Sequence, residues 1–349
     1  MSKRDEFLSP VKRALAERSG FRCSYLGCSK ATVGPSEESD IAVARTGVAC
    51  HITAAAEGGK RFDKDMSEEV RASISNGIWM CSSHSVEIDR DAARYTVNVL
   101  QHWKEIAEAK ADYAKTHGWK HFDNDSYFPV NNLADIDLSL DRTSNTNNLI
   151  GNSILDSCLP NIWGQKQSVI TRDLLIELYR NAFKHGNATR YEMKISAKKI
   201  EVQYDGDEFN IFNLLSHEKA DGGADTLTEI IEDYRDDIVV NYVFDGENRV
   251  TIHQVHDFSE LAATLPCVIE LNEYDDEKTV DSLSIHEKCG ALYILLPMHF
   301  CRSDVNELSS SLSAIQPNGK PVFIVGSAVS DRTKKALIAR FPSFTFIQK

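Results

Sequence analysis

The stretch "GVACHITAAAEGG", Gly47–Gly59, decides how the N-terminal part of the chain is read. A short apolar run ends at His51, directly after Cys50, and Gly58-Gly59 mark a turn. Residues 46–53 therefore read as a strand whose last side chain is an imidazole, which can serve as a core residue, a metal ligand or a base. The residues flanking this stretch narrow the choice. Cys23-x4-Cys28 precedes it in the polar loop "RCSYLGCSK", and Cys81-x2-His84 follows it. Zinc takes four nitrogen or sulfur ligands in a tetrahedron, and two close pairs about fifty residues apart supply four, so Cys23, Cys28, Cys81 and His84 are expected to hold a structural Zn²⁺.

Composition sets the outer limits. The chain has 349 residues, enough for two or three domains, with 42% hydrophobic and 26% charged residues, as in an ordinary globular protein. Eight cysteines in a chain this size are not a disulfide density, and in a reducing compartment closely spaced ones point to metal. No apolar run reaches transmembrane length, and "MSKRDEFLSPVKR" has no signal-peptide core, so a cytoplasmic protein without a membrane partner is expected. Net charge is −13, unevenly spread. Residues 1–120 hold 18 Lys+Arg against 17 Asp+Glu, and the rest holds 21 against 35. A polyanion would favour the N-terminal third.

Along the chain, Ser9-Pro10 reads as a helix cap and first turn, with Gly20 as the stop. "MSEEVRASISNGIWMC" is a short helix and an apolar segment entering Cys81. Val97–His117 is an amphipathic helix ended by Gly118, with Leu100, Trp103, Ile106, Ala107 and Tyr113 on its core face. The Asn-, Asp- and Ser-rich stretch at 121–150 reads as a linker. Beyond it, "TRDLLIELYRNAFKHG" is a helix capped by Thr171 and stopped by Gly186. "YEMKIS", "KIEVQY", "DIVVNYVF" and "RVTIHQV" are strands, with helix "TLTEIIEDY" among them. The remainder alternates again: strands "CVIELNEY", "GALYILLP", "PVFIVGS" and "FTFIQ", helices "DVNELSSSLSAI" and "DRTKKALIARF". The expected architecture is multidomain, α+β and α/β: 1–120, a linker at 121–150, a domain at 151–256, and an α/β subdomain at 257–349.

The words "RCSYLGC", "GVACHITAAAEGG", "SNGIWMCSSHSVEIDRDAARY" and "HW" occur in the order found in the zinc-stabilised HNH endonucleases of bacterial defence, and residues 9–108 resemble that family. The resemblance implies a ββα-metal nuclease acting on double-stranded DNA. His51 would be the general base, Asn76 would orient the water, and Mg²⁺ or Mn²⁺ would polarise the phosphate. Cys50 and Ser85 stand where many members have metal ligands. Both are poor donors for a hard cation, and Asp89 can compensate or else pair with Arg90 or Arg94.

In "ELYRNAFKHGNAT", Glu177, Asn181 and Lys184 share a helical face, and the words resemble the N-box of the GHKL ATPases over residues 145–256. That resemblance implies an α/β sandwich binding ATP with Mg²⁺: Asn181 on the metal, Glu177 on the water, and Lys184 one turn on. Asp205 in "VQYDGDEFN" would bind the adenine, and Gly222 and Gly223 in "ADGGADTL" the phosphates. Together they imply an antiphage nuclease controlled by a nucleotide-binding domain, with assembly into a homo-oligomer or with a defence-system partner compatible with both families. The rival readings are a non-catalytic zinc and DNA-binding sensor, or an ATPase whose HNH-like module only targets DNA.

Overall fold

The computed structural model describes residues 5–28, 30–119, 133, 135–216, 222–255, 267–271, 288–307 and 319–348. The chain divides into two units, Met1–Ile136 with Asn152–Gln165, and Asp137–Gly151 with Lys166–Lys349. The result is a mixed, multidomain α+β protein.

The first unit is built on an antiparallel pair followed by a helix. Strand β3 (Gly47–His51) pairs with β4 (Gly77–Cys81), placing Gly47 opposite Cys81 and His51 opposite Gly77. Helix α3 (Ser82–Arg90) follows β4 without a loop, since Cys81 is both the last strand residue and the helix N-cap. Helix α1 (Ser9–Arg18) lies against this pair, and Gly77 is the reason it can do so. A β-carbon there would sit 2.5 Å from Leu15 Cδ1 and 3.1 Å from the Phe7 ring. Ser9 was expected to cap α1 but is its first helical residue. The N-cap is Leu8, which makes no side-chain cap bond, because Pro10 suits either of the first two positions.

Helix α4 (Val97–His117) starts at Thr96, whose side chain accepts from Val99 N–H, and stops at Gly118, which has φ of 75°. Leu100, Trp103 and Ile106 are buried, completing a core with Ile52, Ile78, Met80 and Ile88. A small hairpin of β1 (Val33–Pro35) and β2 (Val43–Arg45) was not anticipated, because three-residue strands carry too little alternation to read. The one-turn helix α2 (Glu68–Arg71) sits in the long connection between β3 and β4.

The stretch read as a linker is partly structured. Residues 120–132 and 134 lie outside the described residues, but β5 (Ile136–Leu140) is a strand and α5 begins within the same stretch. Helix α5 (Thr146–Asp156) spans the boundary of the units, followed by the single turn α6 (Leu159–Ile162). Helix α7 runs Gln165–Lys184, six residues longer at its start than expected. Thr171 is therefore a buried mid-helix residue rather than a cap, since the apolar period continues upstream through Val169 and Ile170.

In the second unit a five-stranded sheet has the order β5-β6-β7-β9-β8, with β6 (Tyr191–Ile195), β7 (Lys199–Tyr204), β8 (Ile238–Phe244) and β9 (Asn248–Gln254). Neighbours from β6 to β8 pair antiparallel. Tyr191, Met193, Val202 and Tyr204 face the core while Glu192, Lys194, Glu201 and Gln203 alternate to the other side. Helix α7 covers the apolar face, where Tyr191 Oη donates to Leu175 O at 3.2 Å. Helix α8 (Gly222–Asp233) precedes β8.

A second, parallel sheet runs in the order β10 (Val268–Glu270), β11 (Leu292–Leu295), β12 (Val322–Gly326) and β13 (Thr345–Gln348). Its central strands are buried along their length, as parallel strands covered on both faces must be. Helix α9 (Arg302–Glu307) is the described part of the helix expected over 304–315, and α10 (Asp331–Arg340) starts at a Ser330 cap. Cys267 and Cys289 form a buried disulfide, which the reading of the chain as one of a reducing compartment did not anticipate. They are 22 residues apart, and only the pairing of β10 with β11 makes them neighbours.

A close backbone approach lies where β7 ends. Gly206 has φ of 95°, and a β-carbon there would meet Gly186 O at 2.2 Å and Ala188 N at 2.9 Å. Gly206→Ala is expected to cost about 1–3 kcal/mol from strained φ and lost close packing, read as a lower urea midpoint at unchanged slope.

Candidate metal centre and the adjoining cleft

Two elements deliver four ligand atoms to one point. The loop after α1 folds back on itself: Cys23 N–H donates to Lys30 O at 3.0 Å and Cys28 N–H to Tyr25 O at 3.0 Å, with Gly27 at φ of 82° making the turn. Ser24 N–H donates to Trp79 O at 2.9 Å, docking this loop on β4. From the other side, Cys81 ends β4 and His84 occupies the first turn of α3. The Sγ atoms of Cys23, Cys28 and Cys81 and a ring nitrogen of His84 lie within 4.8 Å of one another. His84 Nδ1 is 3.4 Å from Cys23 Sγ and 3.3 Å from Cys81 Sγ. A zinc tetrahedron has sulfur–nitrogen edges of about 3.5 Å, so these side chains can hold a metal ion such as zinc.

Electrostatics favour the same assignment. Burial pushes the Cys23 thiol up to about 12, so a thiolate there needs a cation beside it. Burial works against the Cys81 thiolate too. The backbone N–H of His84, the Cys23 side chain and the N–H of Ser83 outweigh it, and the net direction is down, as suits a thiolate at a helix start. His84 is oriented by outer partners: its ring stacks on Tyr25 at 3.8 Å, and Nε2 faces Glu87 Oε2 at 3.9 Å. The hydroxyls of Tyr95 and Tyr25 donate to Glu87, the first of them holding its carboxyl below the usual range. Such a carboxylate–histidine arrangement fixes which ring nitrogen is left for the metal.

Next to this cluster is a cleft of about 540 Å³, lined by His51, Cys50, Ser85, Asp89, Lys60 and Arg90 among others. The structure thus brings His51 together with all three residues considered for a catalytic cation. Their chemistry differs. Cys50 is a buried thiol, pushed up to about 12 by burial and directed at Val48 O. Ser85 Oγ donates to Ser82 O at 2.8 Å. Neither suits a hard cation. Asp89 does: its carboxylate is 65% exposed and is held on one oxygen by Arg61 Nη2 at 2.9 Å, not by Arg90 or Arg94. Mg²⁺ commonly takes one or two carboxylates and fills its remaining positions with water and substrate phosphate, so Asp89 alone fits it.

Arg61 carried no signal in the sequence. Its side chain is 5% exposed, and it donates to Ile52 O at 2.7 Å, Ile88 O at 2.7 Å and Tyr95 O at 3.3 Å. It thereby ties the residue after His51 to the end of α3. Asn76 is likewise turned to backbone. Its Nδ2 donates to Thr53 O and Arg71 O, each at 2.9 Å, and its Oδ1 accepts from Thr53 N–H at 2.8 Å. Both amide hydrogens are thus donated to backbone carbonyls that shape the connection after His51.

In the second unit, Glu177 pairs with Arg180 at 2.5 Å on the exposed side of α7, and Asn181 lies one turn on, followed by Lys184. Asp205 accepts from Thr189 N–H, Arg190 N–H and Thr189 Oγ1 at 2.6–2.9 Å, which, against burial, lowers its carboxyl. It staples the end of β7 to the loop after α7, and binding an adenine would require it to release these bonds. Gly222 and Gly223 are the first two residues of α8.

No protein-family model, curated protein or solved structure matches this chain. Among the described residues, no helix is long and apolar enough to cross a membrane.

Two outcomes are expected. Purified protein should carry one zinc per chain, lost in Cys28→Ala and Cys81→Ala. Because thiols must shed protons to bind, release to a chromophoric chelator should increase as pH falls. Arg61→Ala leaves buried carbonyls of Ile52 and Ile88 without a donor and should destabilise the first unit by about 2–4 kcal/mol, measured by chemical denaturation with zinc still bound.

Proposed function

We propose that the first unit is a metal-dependent DNA endonuclease of the HNH type, built on a zinc-held ββα core. The observation that carries this reading is the convergence of His51, Asp89, Lys60 and Arg90 on one cleft beside the Cys23, Cys28, Cys81 and His84 cluster. Phosphodiester hydrolysis needs a base for water, countercharge for the phosphate and a rigid frame for both.

In this reading His51 accepts the proton of the attacking water, and Lys60 and Arg90 draw the DNA backbone into the cleft. A divalent cation at Asp89 would supply the charge that offsets the oxyanion developing at phosphorus. Zinc stays outside the chemistry: four protein ligands leave no open position, which marks a structural site. Residues 1–120, which hold the cleft and are near neutral, are also the part of the chain best able to approach a polyanion, since the acidic excess belongs to residues 121–349.

Plasmid DNA in Mg²⁺ or Mn²⁺ should be cut by the wild type, and His51→Ala should slow cutting by about 10²-fold or more at unchanged zinc content. Cutting by His51→Ala at the wild-type rate would remove the catalytic assignment. Binding without cutting by either protein would favour the non-catalytic DNA-binding alternative.

A further inference from the structure

Asp5 and Phe7, ahead of α1, both contact His51. Asp5 O accepts from His51 Nε2 at 3.0 Å. A carbonyl can only accept, so Nε2 carries the hydrogen and the lone pair of the neutral ring resides on Nδ1. The Phe7 ring lies parallel to the imidazole, 3.8 Å between centroids and 8° between planes. Gly77, opposite His51 in the strand pair, provides the space that Phe7 fills. Asp5–Phe7 therefore touches His51 at a ring edge and a ring face.

This segment is anchored by both the backbone and the side chain of Asp5. Asp5 N–H donates to Ala55 O at 3.0 Å, in the loop after β3. The Asp5 carboxylate pairs with Arg71 Nε at 3.0 Å, with the two side chains only 12% and 8% exposed. The guanidinium of Arg71 also donates to Asp63 O and Met66 O and lies over the Phe62 ring at 4.7 Å. The Arg71 carbonyl accepts from Asn76 Nδ2, closing a chain of contacts from the loop, through the ion pair, to the imidazole. The two charges face each other at 3.0 Å without a hydrogen bond at Nε, and, buried as they are, loss of either partner would leave an uncompensated charge.

We propose that Asp5 is a positioning residue for His51. Its carbonyl sets the tautomer and tilt of the ring, and its carboxylate, clamped by Arg71, keeps the carbonyl in place. The proposal rests on the reading of His51 as the base, but its test separates the two. In zinc-loaded full-length protein, long-range ¹⁵N NMR of the imidazole should show His51 as the Nε2–H tautomer. Asp5→Ala should turn this into a mixture of tautomers. The same variant should lower kcat on plasmid DNA by roughly tenfold to a hundredfold with KM changed less than twofold, because the base is misplaced rather than the substrate lost. Arg71→Gln should reproduce the effect and Arg71→Lys should restore most of it.

A wild-type His51 in the Nδ1–H form would overturn the proposal whatever the variants do. So would an Asp5→Ala enzyme with wild-type kcat while His51→Ala is inactive, and that result would leave the nuclease reading standing. Absence of cutting by wild type would instead sink the nuclease reading, with the tautomer measurement still deciding what Asp5 does to the ring.

Discussion

Closure of Cys23, Cys28, Cys81 and His84 onto one point organises everything around it in the first unit. As thiols these side chains can pack together, but as thiolates, with Cys23 and Cys81 buried, they need a cation, since thiolates repel and burial penalises each charge. With a divalent metal the same crowding becomes the strongest local interaction. It joins the loop after α1 to the junction of β4 and α3, segments separated by more than fifty residues. The β3–β4 pair and α3 inherit their relative placement from that junction, because Cys81 belongs to the strand and caps the helix at once. His51 lies on the partner strand and is carried to the cleft by the same constraint.

A second tier of interactions refines that placement, using backbone carbonyls as acceptors. Arg61 gathers three of them, Arg71 two, and Asn76 two more, all from the connection between β3 and β4 or its neighbours. The connection is long and poor in regular structure, so its polar backbone would otherwise be left buried without partners. Buried arginine and asparagine answer that need while rigidifying the loop next to the imidazole. The consequence for function is that the residues holding the cleft in shape are mostly not the residues that line it.

What was legible in the sequence follows from the range of the signals. The helix Val97–His117 was readable from Thr96, Gly118 and a strict apolar period, all local. The Cys23, Cys28, Cys81 and His84 cluster was readable because close Cys and His pairs have few other uses. Thr171 misled, since a hydroxyl that can cap a helix can also sit inside one when the apolar stripe extends upstream. Arg61 and Arg71 gave no signal because most of their partners are carbonyls, which every residue has, and Asp5 gave none because His51 and Arg71 are far from it in sequence and only the fold brings them near. The Cys267–Cys289 bridge was hidden for the same reason, as it depends on two parallel strands becoming neighbours.

Asp205 carries this argument into the second unit. Its place in "DGD", after a strand and before a glycine, is what drew attention to it as a ligand-binding acid. The geometry gives that same pattern a structural cause. Gly206 must accept a positive φ to pass within contact of Gly186, and Asp207 N–H then donates to Gly186 O at 2.7 Å. Asp205 and Asp207 flank the crossing and secure it, one on Thr189 and Arg190, the other on Asn187. An acid–glycine–acid turn is thus sufficient to lock the end of a helix to the end of a strand. His51 differs because its cleft also gathers an exposed carboxylate, Asp89, and two cations, Lys60 and Arg90.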